Sequence, residues 1–207
     1  MSPIKYISRW SMTVVVLVFI PLVSFRGASK KAVIKWAVQK TSSLKIEGSS
    51  NVNQFTCDVT GYYETDTIAF TTADHGNKVV PLKGSLTIDV ASFDCHNRML
   101  TKDLRRTLKS TEHPRLTVRF IALERNPVFN NNKDCLKGMV EIELAGVCKR
   151  FEIPYMLSKN GFAIMLNGGK DFCFSDFQLT PPKKLGGAIK VRDKFNVQFN
   201  LNLVQVN

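Results

Sequence analysis

The chain lacks every short signature of catalysis: it has no nucleophile elbow, no Walker loop, no HExxH and no glycine-rich dinucleotide fingerprint. Its five cysteines include no CxxC pair, which excludes the common structural zinc sites. There is no internal repeat and no low-complexity block. Residues 1–42 contain no acid but seven Lys or Arg, so the formal net charge of +12 is partly a property of the N-terminus. Over 43–207 the balance is 22 basic to 17 acidic residues, alternating in sign. No basic stripe carries stacking aromatics, which argues against nucleic acid as a partner. An anionic membrane surface demands less specificity and fits an exported protein better.

Export is read from the first 29 residues. Lys5 and Arg9 precede an uncharged run over 10–25 with a Val-Val-Val-Leu-Val-Phe-Ile centre, and Gly27-Ala28-Ser29 offers small residues for cleavage after Ser29. The alternative is that residues 10–25 stay in place as a short membrane anchor, although sixteen residues fall just below a usual span. Either way the expected location is periplasmic or extracellular. No Cys follows the apolar run closely enough to carry a lipid. Residues 30–42, with four Lys and a Thr41-Ser42-Ser43 cluster at the end, read as a polar linker, and residues 43–207 as one domain.

From Leu44 the hydrophobic period is two. Leu44 and Ile46 alternate with Lys45 and Glu47, Leu86 and Ile88 with Ser85 and Thr87, and Val140, Ile142 and Leu144 with Met139, Glu141 and Glu143. Such alternation marks strands with one buried face. His75-Gly76-Asn77, Ala145-Gly146, Asn160-Gly161 and Asn167-Gly168-Gly169 supply turn chemistry between runs. One segment departs from it: Leu100, Leu104 and Leu108 recur every fourth residue, Asn97 can cap, and His113-Pro114 ends the excursion, which predicts one short helix near 98–109. These patterns give an antiparallel barrel or sandwich and do not separate the two.

The ordered text of the sequence goes further. Gly48-Ser49-Ser50-Asn51-Val52-Asn53-Gln54-Phe55-Thr56-Cys57 is followed by Phe93-Asp94-Cys95-His96-Asn97-Arg98-Met99, then Asp103-Leu104-Arg105, Thr107-Leu108-Lys109-Ser110 and His113-Pro114, and near the end by Asp176-Phe177, Pro181-Pro182, Gly186 and Ile189-Lys190-Val191-Arg192-Asp193. This succession resembles the bacterial YceI-like family, lipid-binding relatives of the lipocalin barrel, over roughly 43–207. The resemblance implies an all-β, closed, eight-stranded antiparallel barrel whose interior holds a long apolar chain, with polyisoprenoids as the ligand class and a homodimer as an available assembly. Cys57, Cys135, Cys148, Cys173 and the Cys95-His96 pair depart from the commonest form of the family. Cys57 and Cys95 both fall within the matching blocks, and the expectation is that they pair; the competing reading leaves both as free, buried thiols.

On this reading the barrel's apolar lining is drawn from Phe55, Phe70, Phe120, Phe162, Phe172, Phe174 and Phe199, each of which could equally be plain core. A catalytic role for Cys95 and His96 with Asp94 or Asp103 is disfavoured, because neighbours on a strand point to opposite faces. A metal on Cys57, Cys95 and His96 has the same weakness. Asp103, Arg105 and Arg106 could sit at the barrel mouth, with a solvated helix face as the bland alternative. The functional expectation is therefore a non-catalytic, cofactor-free carrier or buffer for a long-chain amphiphile, and the alternative is a structural or interaction module whose barrel is filled by its own side chains.

Overall fold

A computed structural model of the chain describes residues 33–60, 62–71 and 79–206. The apolar run at 10–25, the cleavage expected after Ser29 and the His75-Gly76-Asn77 turn lie outside the described residues. Among those described, no helix is long and apolar enough to cross a membrane.

In chain order the strands are β1 (Val33–Val38), β2 (Ser43–Ser49), β3 (Gln54–Thr60), β4 (Thr67–Thr71), β5 (Val80–Lys83), β6 (Ser85–Asp89), β7 (Arg115–Leu123), β8 (Lys133–Leu144), β9 (Val147–Asn160), β10 (Ala163–Cys173), β11 (Lys183–Lys184), β12 (Ile189–Lys190) and β13 (Lys194–Val206). One helix, α1 (Arg98–Thr107), lies between β6 and β7. All pairings are antiparallel, and the order β1-β4-β5-β7-β8-β9-β10-β13 returns to β1, whose Lys35 to Val38 pair with Val206 to Leu203. That last pairing closes an eight-stranded barrel and rules out the sandwich. β2, β3 and β6 prolong β1, β4 and β5 beyond kinks, so each of these wall positions is one long, bent strand.

The kinks have local causes. Between β5 and β6, Gly84 has φ +140°, and a Cβ there would lie 2.2 Å from the Thr67 carbonyl oxygen. Only glycine fits such a backbone. Between β1 and β2, the Asn202 N–H donates to Ser42 Oγ at 3.0 Å, and Gln39 N–H donates to the Asn202 carbonyl at 2.8 Å, so the bend keeps its hydrogen bonds.

Closure leaves a seam where β3 and β6 part. Asp58 and Asp94 exchange backbone hydrogen bonds of 2.8 and 3.0 Å across it, and Cys57 and Cys95 are joined by a disulfide. Further along, Tyr62 Oη donates to the Asp66 carboxylate and accepts the Thr87 N–H at 3.1 Å, standing in for a missing ladder bond. Behind the seam, α1 is capped by Asn97, whose side chain accepts from Met99 N and Leu100 N at 3.0 and 3.1 Å. The helix ends close to the predicted boundary and turns Leu104 and Leu108 inward, both buried.

Two sequence expectations are corrected here. The polar linker over 30–42 is, from Val33 to Val38, the first wall strand: Trp36 and Val38 are buried with Lys35 facing out, and the surrounding lysines hid a period of two. The Asn167-Gly168-Gly169 turn is instead the middle of β10, where a Cβ on Gly168 would fall 2.2 Å from the Phe199 ring. Glycine is needed there for a close approach, not for a turn. Ala145-Gly146, with φ +52° and +81°, does form the tight β8–β9 hairpin.

Candidate ligand cavity

The barrel interior is unequal along its axis. In the half that contains β1, β4 and β5, Trp36 packs on Phe70 with ring centroids 4.7 Å apart, and Val80, Leu123, Leu157 and Leu203 are almost wholly buried around them. This half is a solid core. The other half, under α1 and the 3₁₀ turn Phe174–Phe177, holds a cavity of about 120 Å³ with nearly apolar walls.

Of the seven phenylalanines expected to line it, Phe120, Phe172, Phe174 and Phe199 do so. Phe70 belongs to the solid half, and Phe55 is a half-buried ring lying over Gly48 on β2. Phe162 is the clear miss: it sits at the tip of the β9–β10 hairpin, just after Gly161 (φ +59°), and is 86% exposed. The Asn160-Gly161 turn signal, weighed properly, would have placed it there. Leu104 of α1, Leu108 at its C-terminal cap and Phe177 of the 3₁₀ turn roof the cavity, which the sequence does not signal.

A second seam opens beside the cavity. The β9–β10 register runs from Ala163↔Asn160 to Gly168↔Tyr155 and stops there, so toward α1 the two strands separate. The gap is filled by rings: Phe151 meets Phe172 edge-on at 4.9 Å and Phe177 at 5.8 Å. Lys149 Nζ bridges to the Asp176 carboxylate over them.

Few polar groups reach the cavity, and most are already used. Ser42 and Tyr62 serve the kink and the first seam as described. Tyr155 does not: it is 3% exposed, and its hydroxyl has no hydrogen-bond partner among the described residues. Burial pushes the phenol well above its ordinary pKa, so it stays a neutral donor. Periodicity on β9 could have found it, since Ile153, Tyr155 and Leu157 alternate with Pro154 and Met156.

Polar groups at the mouth hold α1 in place. Asp103, only 4% exposed, is bound by Lys184 Nζ and, at 2.6 Å, by an Arg106 nitrogen; burial works to raise its pKa, but these two cations overcome that and hold it below the usual value. Arg105 donates to the Phe93 carbonyl at 3.0 Å. His96 does not meet a free Cys95, which is in the disulfide; its Nε2 lies 2.8 Å from Asp58 Oδ2. That hydrogen bond raises the His96 pKa. A raised folded-state value means that the pair supports the fold below the unfolded histidine pKa of about 6.5, and that this support fades as pH climbs through the higher folded value. Proton NMR titration should show His96 with an apparent pKa above that of His96 in an Asp58→Asn variant. Equal values would remove the interaction.

A family model for the YceI-like domain matches residues 23–203. The chain belongs to the YceI-like family. Among solved structures, the barrel is similar to Burkholderia cenocepacia BcnA (TM-score 0.59, 16% identity, covering 78% of this chain and 95% of that one). It is similar also to a polyisoprenoid-binding domain from Saccharophagus degradans implicated in plant cell wall breakdown (TM-score 0.58, 12% identity, covering 82% and 97%). At these identities the likeness is one of fold. No curated protein matches the sequence. As a YceI-like barrel the molecule has its apolar cavity at the α1 end, and the family match takes in β1, which the resemblance read over 43–207 had left out.

Proposed function

We propose that this YceI-like protein is an exported, non-catalytic carrier or buffer that encloses a polyisoprenoid or similar long-chain amphiphile at the α1 end of its barrel. The observation that carries the reading is the cavity in the barrel interior walled by phenylalanine and aliphatic side chains. Each CH₂ taken out of water contributes about 0.8 kcal/mol, so a chain of several isoprene units gains enough from burial to bind without catalytic chemistry or a cofactor. The neighbour from Saccharophagus, whose domain is described as polyisoprenoid-binding, supports this ligand class.

The cavity is small for a long chain, comparable to one that holds a benzene ring. Loading therefore requires the roof to move. α1 is the element placed to do so, since Leu104 and Leu108 are its contribution to the wall while its outer face carries exposed Arg98, Lys102 and Arg106 with Met99. Those cations, with Lys183 and Lys190 across the mouth, favour an approach to an anionic membrane with the roof facing it. Organic extraction of protein purified from its native host, followed by mass spectrometry, should recover a long-chain lipid at near-stoichiometric yield. Repeated preparations without lipid would sink the carrier reading and leave the side-chain-filled interaction module.

A further inference from the structure

Tyr155 stands where the solid half of the barrel gives way to the cavity. Its row across the wall runs from Leu136 through Tyr155 and Gly168 to Phe199 and Leu44; of these, Tyr155, Phe199 and Leu44 line the cavity, toward its inner end and away from the α1 roof. Two glycines make room for the rings: Phe199 lies over Gly168, Tyr155 lies over Gly138 on β8, and the two rings meet edge to face with centroids 5.8 Å apart. This is also the point at which the β9–β10 ladder ends.

A buried hydroxyl without a partner costs on the order of 1–3 kcal/mol, and native proteins seldom keep one without a use. Phenylalanine would fill the same space at no such cost. A trapped water is a poor answer, because a buried water needs about three polar partners and the wall around the ring is aliphatic and aromatic. The Trp36 indole nitrogen also lacks a partner among the described residues, but it is in the solid half and borders no space that a ligand could enter.

We infer that the Tyr155 hydroxyl is the polar anchor of the cavity and donates a hydrogen bond to an uncharged oxygen of the bound amphiphile, an alcohol or a carbonyl. The ligand then enters head first, with its oxygen at the inner end and its apolar tail leading back toward α1. This assignment rests on the carrier reading and narrows it. An anionic phosphate or carboxylate head is excluded from the inner end, because one neutral donor cannot repay the loss of its hydration. Lys170, which also faces inward on β10, is half-exposed and two residues nearer the mouth, where an anionic head would stay if such a lipid bound tail first.

The test uses delipidated full-length protein and three probes of equal chain length: geranylgeraniol, the corresponding hydrocarbon and geranylgeranyl phosphate, each measured by equilibrium competition against a radiolabelled copy of the alcohol. The alcohol should bind about tenfold more tightly than the hydrocarbon, a gap of about 1.4 kcal/mol. In Tyr155→Phe that preference should collapse to within about twofold while the hydrocarbon's affinity is kept. The apo variant should melt no lower than wild type, because an orphan hydroxyl has been removed and the ring retained. An undiminished alcohol preference in Tyr155→Phe, or tightest binding by the phosphate in both proteins, overturns the anchor and leaves lipid carriage standing. Failure of all three probes to bind either protein overturns carriage and anchor together.

Discussion

Replacing both Cys57 and Cys95 with alanine should lower the unfolding free energy by about 4 kcal/mol, the chain-entropy value for a closed loop of 38 residues. The effect falls where the barrel is weakest. β3 and β6 share no ladder, and the seam between them is held by the Asp58–Asp94 backbone bonds, the His96–Asp58 pair, the Tyr62–Asp66–Thr87 cluster and this disulfide. Both cysteines are buried, so the alanines leave no polar group behind. Guanidinium unfolding of wild type and double variant under oxidising conditions reads the difference. A loss under 1 kcal/mol would mean that the backbone and side-chain bonds close the seam unaided. The variant should also bind lipid less well, since the disulfide anchors the segment that leads into α1, and α1 roofs the cavity.

Gly84→Ala should be of similar severity, about 3 to 5 kcal/mol, for an unrelated reason. A residue with a side chain is strained at φ +140°, and the new Cβ would meet the Thr67 carbonyl oxygen at 2.2 Å, an obstacle made of backbone and unable to turn aside. The wall must then shift at the β5–β6 kink, where β4 and β7 are both paired. Gly169→Ala is the comparison: Gly169 has no left-handed backbone and a Cβ there would meet the Val197 carbonyl oxygen at 3.3 Å, a tightness that a shift of a few tenths of an ångström relieves, so a smaller loss than at Gly84 is expected. Thermal unfolding of the two variants side by side checks the contrast. Equal, small shifts would show that the kink can flatten without cost.

How much of this could be read from the sequence depended on whether the signal was local. The long alternation of Phe195, Val197, Phe199, Leu201 and Leu203 with Asn and Gln specifies β13 by itself, and Asn97 with the fourfold leucine spacing specifies α1. β1 is hard to read because lysines flank it and a short strand of six residues gives few repeats to count. Gly168 is ambiguous in the sequence because a glycine that makes room for a ring from β13, some thirty residues later, looks locally like one that makes a turn. The cavity wall shows the same limit. Phe120 and Phe70 are both inward-facing strand phenylalanines, and only their heights in the barrel, set by register, decide that one meets open space and the other meets Trp36.

The parting of β9 and β10 bears on self-association. A closed barrel ordinarily has no free edge, but below Gly168 and Tyr155 two stretches of backbone face each other without a ladder, and an unpaired edge is a template for a second chain. The residues along it oppose such pairing: Pro154 offers no N–H, and the Phe151, Phe172 and Phe177 rings fill the space that an incoming strand would need. The side chains that border the opening thus guard it against the edge-to-edge pairing that its unladdered backbone would otherwise invite.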